Sequence, residues 1–400
     1  MHLIAAIFLP FLATCSFNQR SDLVRIGLFS LFKPETIQVR ASSTATLSLD
    51  GISSNSSLTG GELIRIRLSG ERLNVVVIGS HGAAKQSIET GQVVIAPDAE
   101  GTLELVIPGR MRRTVRGSVS VDAGLAGRGP LRVVLSTGRE AAIASVVAAE
   151  TSRREPEALM ALAVVVRTFT LSHPGRHSNE GFDFCDTTHC QLYRGEQDLA
   201  DRAAAAAVLH SVARTAGQVL TFHGHMIEGY YTATCGGLSA TPSMVWGGSE
   251  DYPYRRIECQ WCKASRFRRW QRAADARRVI DSVAGFLSAK LSHETELSTT
   301  NDPRSGFVES VLVVDESKRY VLSADAFRRA VGLSLGWNTV LSPTFVIERK
   351  GLRIVFRGRG FGSQIGLCEE GAIAQAVSGR SYREILGFYF PGAVVSSPQE

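Results

Sequence analysis

Between Ala141 and Leu171 the sequence reads AAIASVVAAE, TSRRE, PEALMALAVVVRTFTL: two apolar runs joined by a short polar break. Alanine, leucine and methionine favour the helix, and length and apolar character suggest burial. Pro156 suits the first turn of a second helix, so the first should stop between Glu150 and Ser152. After a His- and Gly-containing loop comes GFDFCDTTHCQLYRG (Gly181–Gly195), dense in thiol, imidazole and hydroxyl groups.

Upstream, from Leu23 to Leu135, the pattern changes. VRIGLF, TIQVRA, ATLSLD, LIRIRLSG, LNVVVIG, QVVIAP, TLELVIPG and LRVVLS are short, β-branched and alternating, with turn residues between them. A strand-rich block followed by helices predicts an α+β fold. The expected division is a leader and linker over 1–22, a β-rich region over 23–135 and a mixed core over 136–395.

Within that core a helix is expected around Leu199–Ala213, then the hairpin-like pair QVLTFHG and HMIEGYYTAT. Cys235-Gly236-Gly237 opens a long loop with Trp246 and Tyr252 that ends at Cys259-Gln-Trp-Cys262. One helix is expected over Arg266–Leu291, with the basic cluster RFRRWQRAADARR as its solvated face. SHETELSTTNDPRSG reads as a surface connection. Strands VESVLVVD, RYVLS and TFVIERKGLRIVFRG surround a short helix near Ala324–Val331, and helices at Glu370–Val377 and Tyr382–Phe390 close the chain.

MHLIAAIFLPFLATC at the start is apolar, too short to span a bilayer as a helix, and has the character of a signal-peptide core. Leu12-Ala-Thr-Cys15 approximates a lipoprotein signal with Cys15 as the lipid-bearing residue, and Thr14 is larger than the usual residue there; export is expected, by lipidation of Cys15, by simple cleavage or with the apolar run kept as an anchor. The formal net charge of +6 favours an anionic partner. For an exported chain that partner is wall polymer or lipid headgroup, not nucleic acid. Six cysteines remain after Cys15, which an oxidising compartment permits to pair.

Glu150 closes an apolar helix. A carboxylate there faces the negative end of the helix dipole, and Val146 and Val147 would desolvate it. Both effects raise its pKa, as a general acid near neutral pH requires; the bland alternative is a glutamate fraying into solvent. Cys185 and His189 have the soft sulfur and imidazole nitrogen that suit Zn²⁺, while a Cys185–Cys190 disulfide, or pairing with Cys235 or with Cys259 and Cys262, is equally open. Cys259-x-x-Cys262 alone is a weak metal signal outside the cytoplasm. The glycines of GRGFGSQIGLCEEGA do not fit G-x-G-x-x-G, since Ser363 stands at the third position; tight turns and close packing explain them.

Taken together, AAE, EALMALAVVVRTF, FDFCDTTHCQLYRG, Thr215-Ala-Gly217-Gln-Val-Leu, Ile227-Glu-Gly-Tyr230-Tyr231-Thr-Ala-Thr-Cys235-Gly236-Gly237, GRGFGSQIGLCEEGA and SYREILGFYFPGA resemble the stage II sporulation protein D / amidase enhancer family. The resemblance covers most of residues 130–395. It implies a peptidoglycan lytic transglycosylase with Glu150 as its acid and base, acting on glycan strands and leaving 1,6-anhydro-N-acetylmuramic ends. It also implies a zinc-binding Cys/His pair at Cys185 and His189, and a substrate-contacting histidine at His173 or His177. A functional tyrosine falls at Tyr230 or Tyr231, with Arg167, Gln191 and Tyr193 shaping the cleft. Ser363 and Glu369 depart from the family, which commonly has His and Gln there. The alternative is a wall-bound, non-catalytic enhancer of an N-acetylmuramoyl-L-alanine amidase.

Overall fold

The computed structural model describes residues 22–397, apart from 51, 100, 125–129, 200 and 249–252. The leader, Cys15 and Tyr252 lie outside the described residues. No helix among the described residues is long and apolar enough to cross a membrane.

Among the described residues the first part is twelve strands: β1 Leu23–Leu28, β2 Thr36–Ala41, β3 Ala45–Leu49, β4 Ile52–Leu58, β5 Leu63–Ser69, β6 Arg72–Ile78, β7 Ala84–Thr90, β8 Gln92–Pro97, β9 Leu103–Ile107, β10 Met111–Val115, β11 Ser118–Asp122 and β12 Arg132–Gly138. β4, β7, β10 and β11 are additional to the strands expected from sequence. β4, β7 and β10 lie at sheet edges; β7 is mostly exposed, so its polar composition AKQSIET costs little. β11 runs inside its sheet, burying Val119 and Val121 between outward serines.

Helices follow: α1 Arg139–Glu150 and α2 Pro156–Ser172, with Pro156 in its first turn. After β13 Phe184–Cys185 comes α3 Arg202–Arg214, capped by the Asp201 carboxylate. β14 Val219–Phe222 and β15 His225–Met226 make the expected hairpin. β16 Tyr231–Thr232 and α4 Pro242–Trp246 come next.

The basic cluster departs from expectation. Trp270–Asp275 is strand β17, and only Ala276–Leu287 is helix, α5. Two causes are visible. Trp270 turns into a core while β17 pairs along its length with a later strand, from Trp270↔Gly358 to Asp275↔Arg353. Asp275 then caps α5 by accepting from the Arg278 amide. The stretch read as a surface connection contains β18 Glu296–Asn301, paired antiparallel with β19 Val308–Asp315. β20 Lys318–Leu322, α6 Ala324–Leu335, β21 Phe345–Lys350, β22 Arg353–Gly358, β23 Leu367–Cys368, α7 Glu369–Val377, α8 Tyr382–Tyr389 and β24 Val394–Ser396 complete the chain.

The seven-stranded sheet runs β13-β1-β12-β11-β8-β3-β4, and a six-stranded sheet runs β10-β9-β2-β5-β6-β7. This is the α+β class expected. One apolar core is continuous from Val24 through α1, α2 and α8 to Phe390, and residue 135 lies inside β12, which pairs with β1 from Val133 to Gly138. A second, separate core lies within residues 270–356, where Phe327, Phe345 and Phe356 meet. β1 also pairs with β13, which fixes the start of the CDTTHC loop on the main sheet.

Candidate active site

Glu150 is the last residue of α1. Its side chain keeps a partial opening to the surface, yet its carboxyl is enclosed enough that its pKa rises to about 7. Burial is the leading cause, opposed by hydrogen bonds from the Tyr231 side chain and the Leu192 backbone. The Tyr231 hydroxyl donates to Glu150 Oε1 at 3.1 Å. Tyr231 comes from β16, which pairs in parallel with β23 (Tyr231↔Leu367, Thr232↔Cys368), so Glu369 follows directly at the start of α7.

Glu369 is 7% exposed, and its Oε1 has no hydrogen-bond partner among the described residues. Burial first, then the Glu150 charge, push its carboxyl well above the usual range. An acid with some access to the surface, a tyrosine donor, a backbone donor and a second buried carboxyl therefore converge from α1, β16, the Gln191–Tyr193 loop and α7. A proton can be held at Glu150 near neutral pH and released there.

The other residues singled out from sequence separate into three groups. His173 stacks on Phe169 with ring centroids 4.4 Å apart and lies 5.8 Å from Tyr230. Tyr230 meets Trp246 edge-on at 4.9 Å, and Trp246 is 47% exposed. These three make an aromatic patch beside the Tyr231 strand. Gly366 permits the close approach of β23 to the Tyr230 backbone: a Cβ there would sit 2.0 Å from the Tyr230 carbonyl oxygen, and its φ is +71°.

Arg167, Gln191 and Tyr193 are buried inside the helical layer. Arg167, 1% exposed, pairs with Glu140 at 2.7 Å and donates to the carbonyls of Gln218 and Val212, tying α2 to α1 and to both ends of the α3–β14 connection. Gln191 donates to the Val166 carbonyl at 3.1 Å and accepts from Thr170. Tyr193 lies near Ser145 in α1, and burial raises its phenol pKa. Gln191 and Tyr193 line a small cavity with Ala142 and Val146 of α1 and with Phe184 and Cys185.

His177 joins Cys185, His189 and Cys190 in a cluster whose donor atoms all lie within 4.8 Å of one another. His177 Nε2 is 3.3 Å from Cys190 Sγ, and His189 Nδ1 is 3.8 Å and 3.7 Å from the two sulfurs. The Cys190 thiol, above all, pulls the Cys185 pKa down to about 3. No sulfur of the six described cysteines is bonded to another. Two imidazoles and two thiols form a four-donor set of the kind tetrahedral zinc takes, so the residues fit the ion. His177 and Cys190 complete the pair expected from sequence; Cys190 was visible as the neighbour of His189, but no interval in the sequence marks His177 as a donor.

The loop is held from below. Asp186 accepts from the amides of Phe29 and Ser30 at 2.7 Å and 3.2 Å and pairs with buried Arg113 of β10 at 2.6 Å.

Residues 128–222, which carry α1, α2, the four-donor loop and α3, match the family SpoIID, described as Stage II sporulation protein. The chain is similar, at 28% identity over 237 residues, to an uncharacterised protein of Brachyspira hyodysenteriae, covering 59% of this chain and 60% of that relative. It is similar at 24% over 252 residues to Stage II sporulation protein D of Bacillus subtilis, covering 60% and 69%. At 25% over 285 residues it is similar to the amidase enhancer of the same organism, covering 60% of this chain but 38% of that longer protein.

Proposed function

Over residues 128–222 this chain belongs to the SpoIID family, and from that premise we propose that it remodels peptidoglycan as a lytic transglycosylase with Glu150 as its single acid and base. The observation that carries the reading is Glu150 itself, an enclosed carboxyl with a pKa near 7 and an ordered tyrosine donor. Protonated Glu150 gives its proton to the glycosidic oxygen beyond N-acetylmuramic acid. The C1–O bond breaks and its electron pair stays with that oxygen. The carboxylate then takes the proton from the C6 hydroxyl of the same muramic residue, whose O6 bonds to C1. A 1,6-anhydro end forms, Glu150 is reprotonated, and no water is consumed.

Trp246 and Tyr230 offer apolar faces on which sugar rings stack. His173, the neighbour of Tyr230, is the better placed of the two candidate histidines to meet glycan. His177, Cys185, His189 and Cys190 would hold zinc, which braces the loop whose Leu192 amide reaches Glu150. The reading carries export with it, with Cys15 as the lipid anchor or the residue just before the mature chain.

Glu150→Gln tests the chemistry. Gln keeps the shape but transfers no proton, so a loss of about 10²–10⁴-fold in rate is expected with glycan binding retained. Purified glycan strands incubated with the wild type should acquire 1,6-anhydro ends, read by mass spectrometry. Ordinary reducing ends would mean a hydrolase. The relative named amidase enhancer supports a second reading: if wild type and variant both leave glycan intact yet stimulate an added N-acetylmuramoyl-L-alanine amidase equally, this chain is an enhancer.

A further inference from the structure

A second group of four side chains lies apart from the His177–Cys190 cluster. Cys235, Cys259, Cys262 and Cys368 bring their Sγ atoms within 4.8 Å of one another, and each is at most 1% exposed. Cys235 follows β16 by three residues, Cys259 and Cys262 flank a turn ending the long loop, and Cys368 closes β23 as the N-cap of α7. Cys235 Sγ stands 3.6 Å from Cys262 Sγ. A disulfide would require about 2.05 Å, whereas four sulfurs at ~2.3 Å from one tetrahedral ion are about 3.8 Å apart.

Three donors point at these sulfurs. The Cys235 amide donates to Cys368 Sγ at 3.4 Å, Arg268 Nη1 to Cys262 Sγ at 3.5 Å, and the Tyr389 hydroxyl lies 3.3 Å from Cys259 Sγ. Buried thiols that serve only as small apolar fillers need no such company. Thiolates around a dication do, because four of them overcompensate its charge, and outer donors and a guanidinium share the excess. The N-terminus of α7 adds a favourable field at Cys368.

We propose that Cys235, Cys259, Cys262 and Cys368 form a closed tetrathiolate site for zinc. Every position is taken by sulfur, so the ion is structural and carries no reaction. It fastens the end of β16 to β23 and to the turn at Trp261. Tyr231 of β16 and Glu369 of α7, the two side chains that face Glu150 from this side, lie within four residues of a ligand. The site does not depend on the transglycosylase reading: an enhancer that cleaves nothing would keep it.

The test uses the mature chain purified without chelators. The variant Cys185→Ser/His189→Ala/Cys190→Ser removes three of the four donors of the other cluster, so any tightly held zinc that remains reports this one. Elemental analysis should find one zinc per chain, and X-ray absorption should find a shell of sulfur alone near 2.3 Å. Cys259→Ser/Cys262→Ser in the native background should lose one zinc equivalent and lower the melting temperature. Should that variant fail to fold, cobalt loaded into the unmutated chain must still give the intense visible bands of a tetrathiolate complex. Absence of zinc and of cobalt bands would overturn the proposal. So would disulfides joining these four cysteines in a non-reduced digest, nitrogen or oxygen in the shell, or iron in place of zinc.

Discussion

At the scale of single residues, Glu150 makes the sharpest demands. It must be protonated to begin turnover, and its pKa lies near 7, so the rate on glycan should fall as pH rises through 7. Tyr231 from β16 and Glu369 from α7 face it, and the Tyr231 hydroxyl favours the charged form. Tyr231→Phe should therefore raise the Glu150 pKa and carry the alkaline limb of the pH–rate profile upward by about one to two units, the value of a hydrogen bond to a charged group. The same shift predicts a stability effect that needs no substrate. Folding binds a proton at Glu150 more tightly than the unfolded chain does. Stability from this group is thus full below the ordinary carboxyl pKa and is lost as pH rises toward 7. Glu150→Gln, which carries no charge, should be more stable than wild type at pH 8 by about 3 kcal/mol and equal to it at pH 4, measured by urea denaturation at the two pH values. The sequence foretold the direction of this shift from the apolar helix that Glu150 closes. It could not foretell the company: Tyr231, the Leu192 amide and Glu369 come from strands and turns far along the chain, and only the parallel pairing of β16 with β23 brings two of them in.

Among the elements, the CDTTHC loop depends on its footing in the β-rich part. Asp186 and Arg113 form a buried ion pair, and removing one partner leaves the other charged and dry. Asp186→Ala should cost about 3–5 kcal/mol, seen as a drop in melting temperature, and should lower zinc retained by the His177–Cys190 cluster. Helix boundaries were legible where punctuation is chemical: Pro156 opens α2 as expected, and α1 stops at Glu150. They were not legible where a partner decides. The arginine-rich run before Ala276 has the composition of a solvated helix, but its conformation is imposed by β22 and by one buried tryptophan. The polar edge strands β4 and β7 likewise follow from neighbours that supply hydrogen bonds, not from their own residues.

For the molecule as a whole, packing is organised around two cores. The β-rich part shares its core with α1, α2 and α8, while residues 270–356 enclose their own and return to their starting point, with Trp270 opposite Gly358. A chain whose ends meet and whose apolar residues satisfy one another should fold alone. Residues 266–361 expressed by themselves are expected to melt in one cooperative transition by circular dichroism; a featureless, non-cooperative trace would show that the unit needs its host. This return has a consequence for recognising kin. Closing a longer loop adds entropy cost only as the logarithm of its length, so the stretch between Cys262 and Cys368 is free to shrink to a turn or swell by a domain while the sulfurs keep their places. A pattern search that fixes the interval between those cysteines would overlook relatives built the same way; one that fixes Cys235-Gly236-Gly237 and Gly366-Leu-Cys368, with any distance between, would gather them.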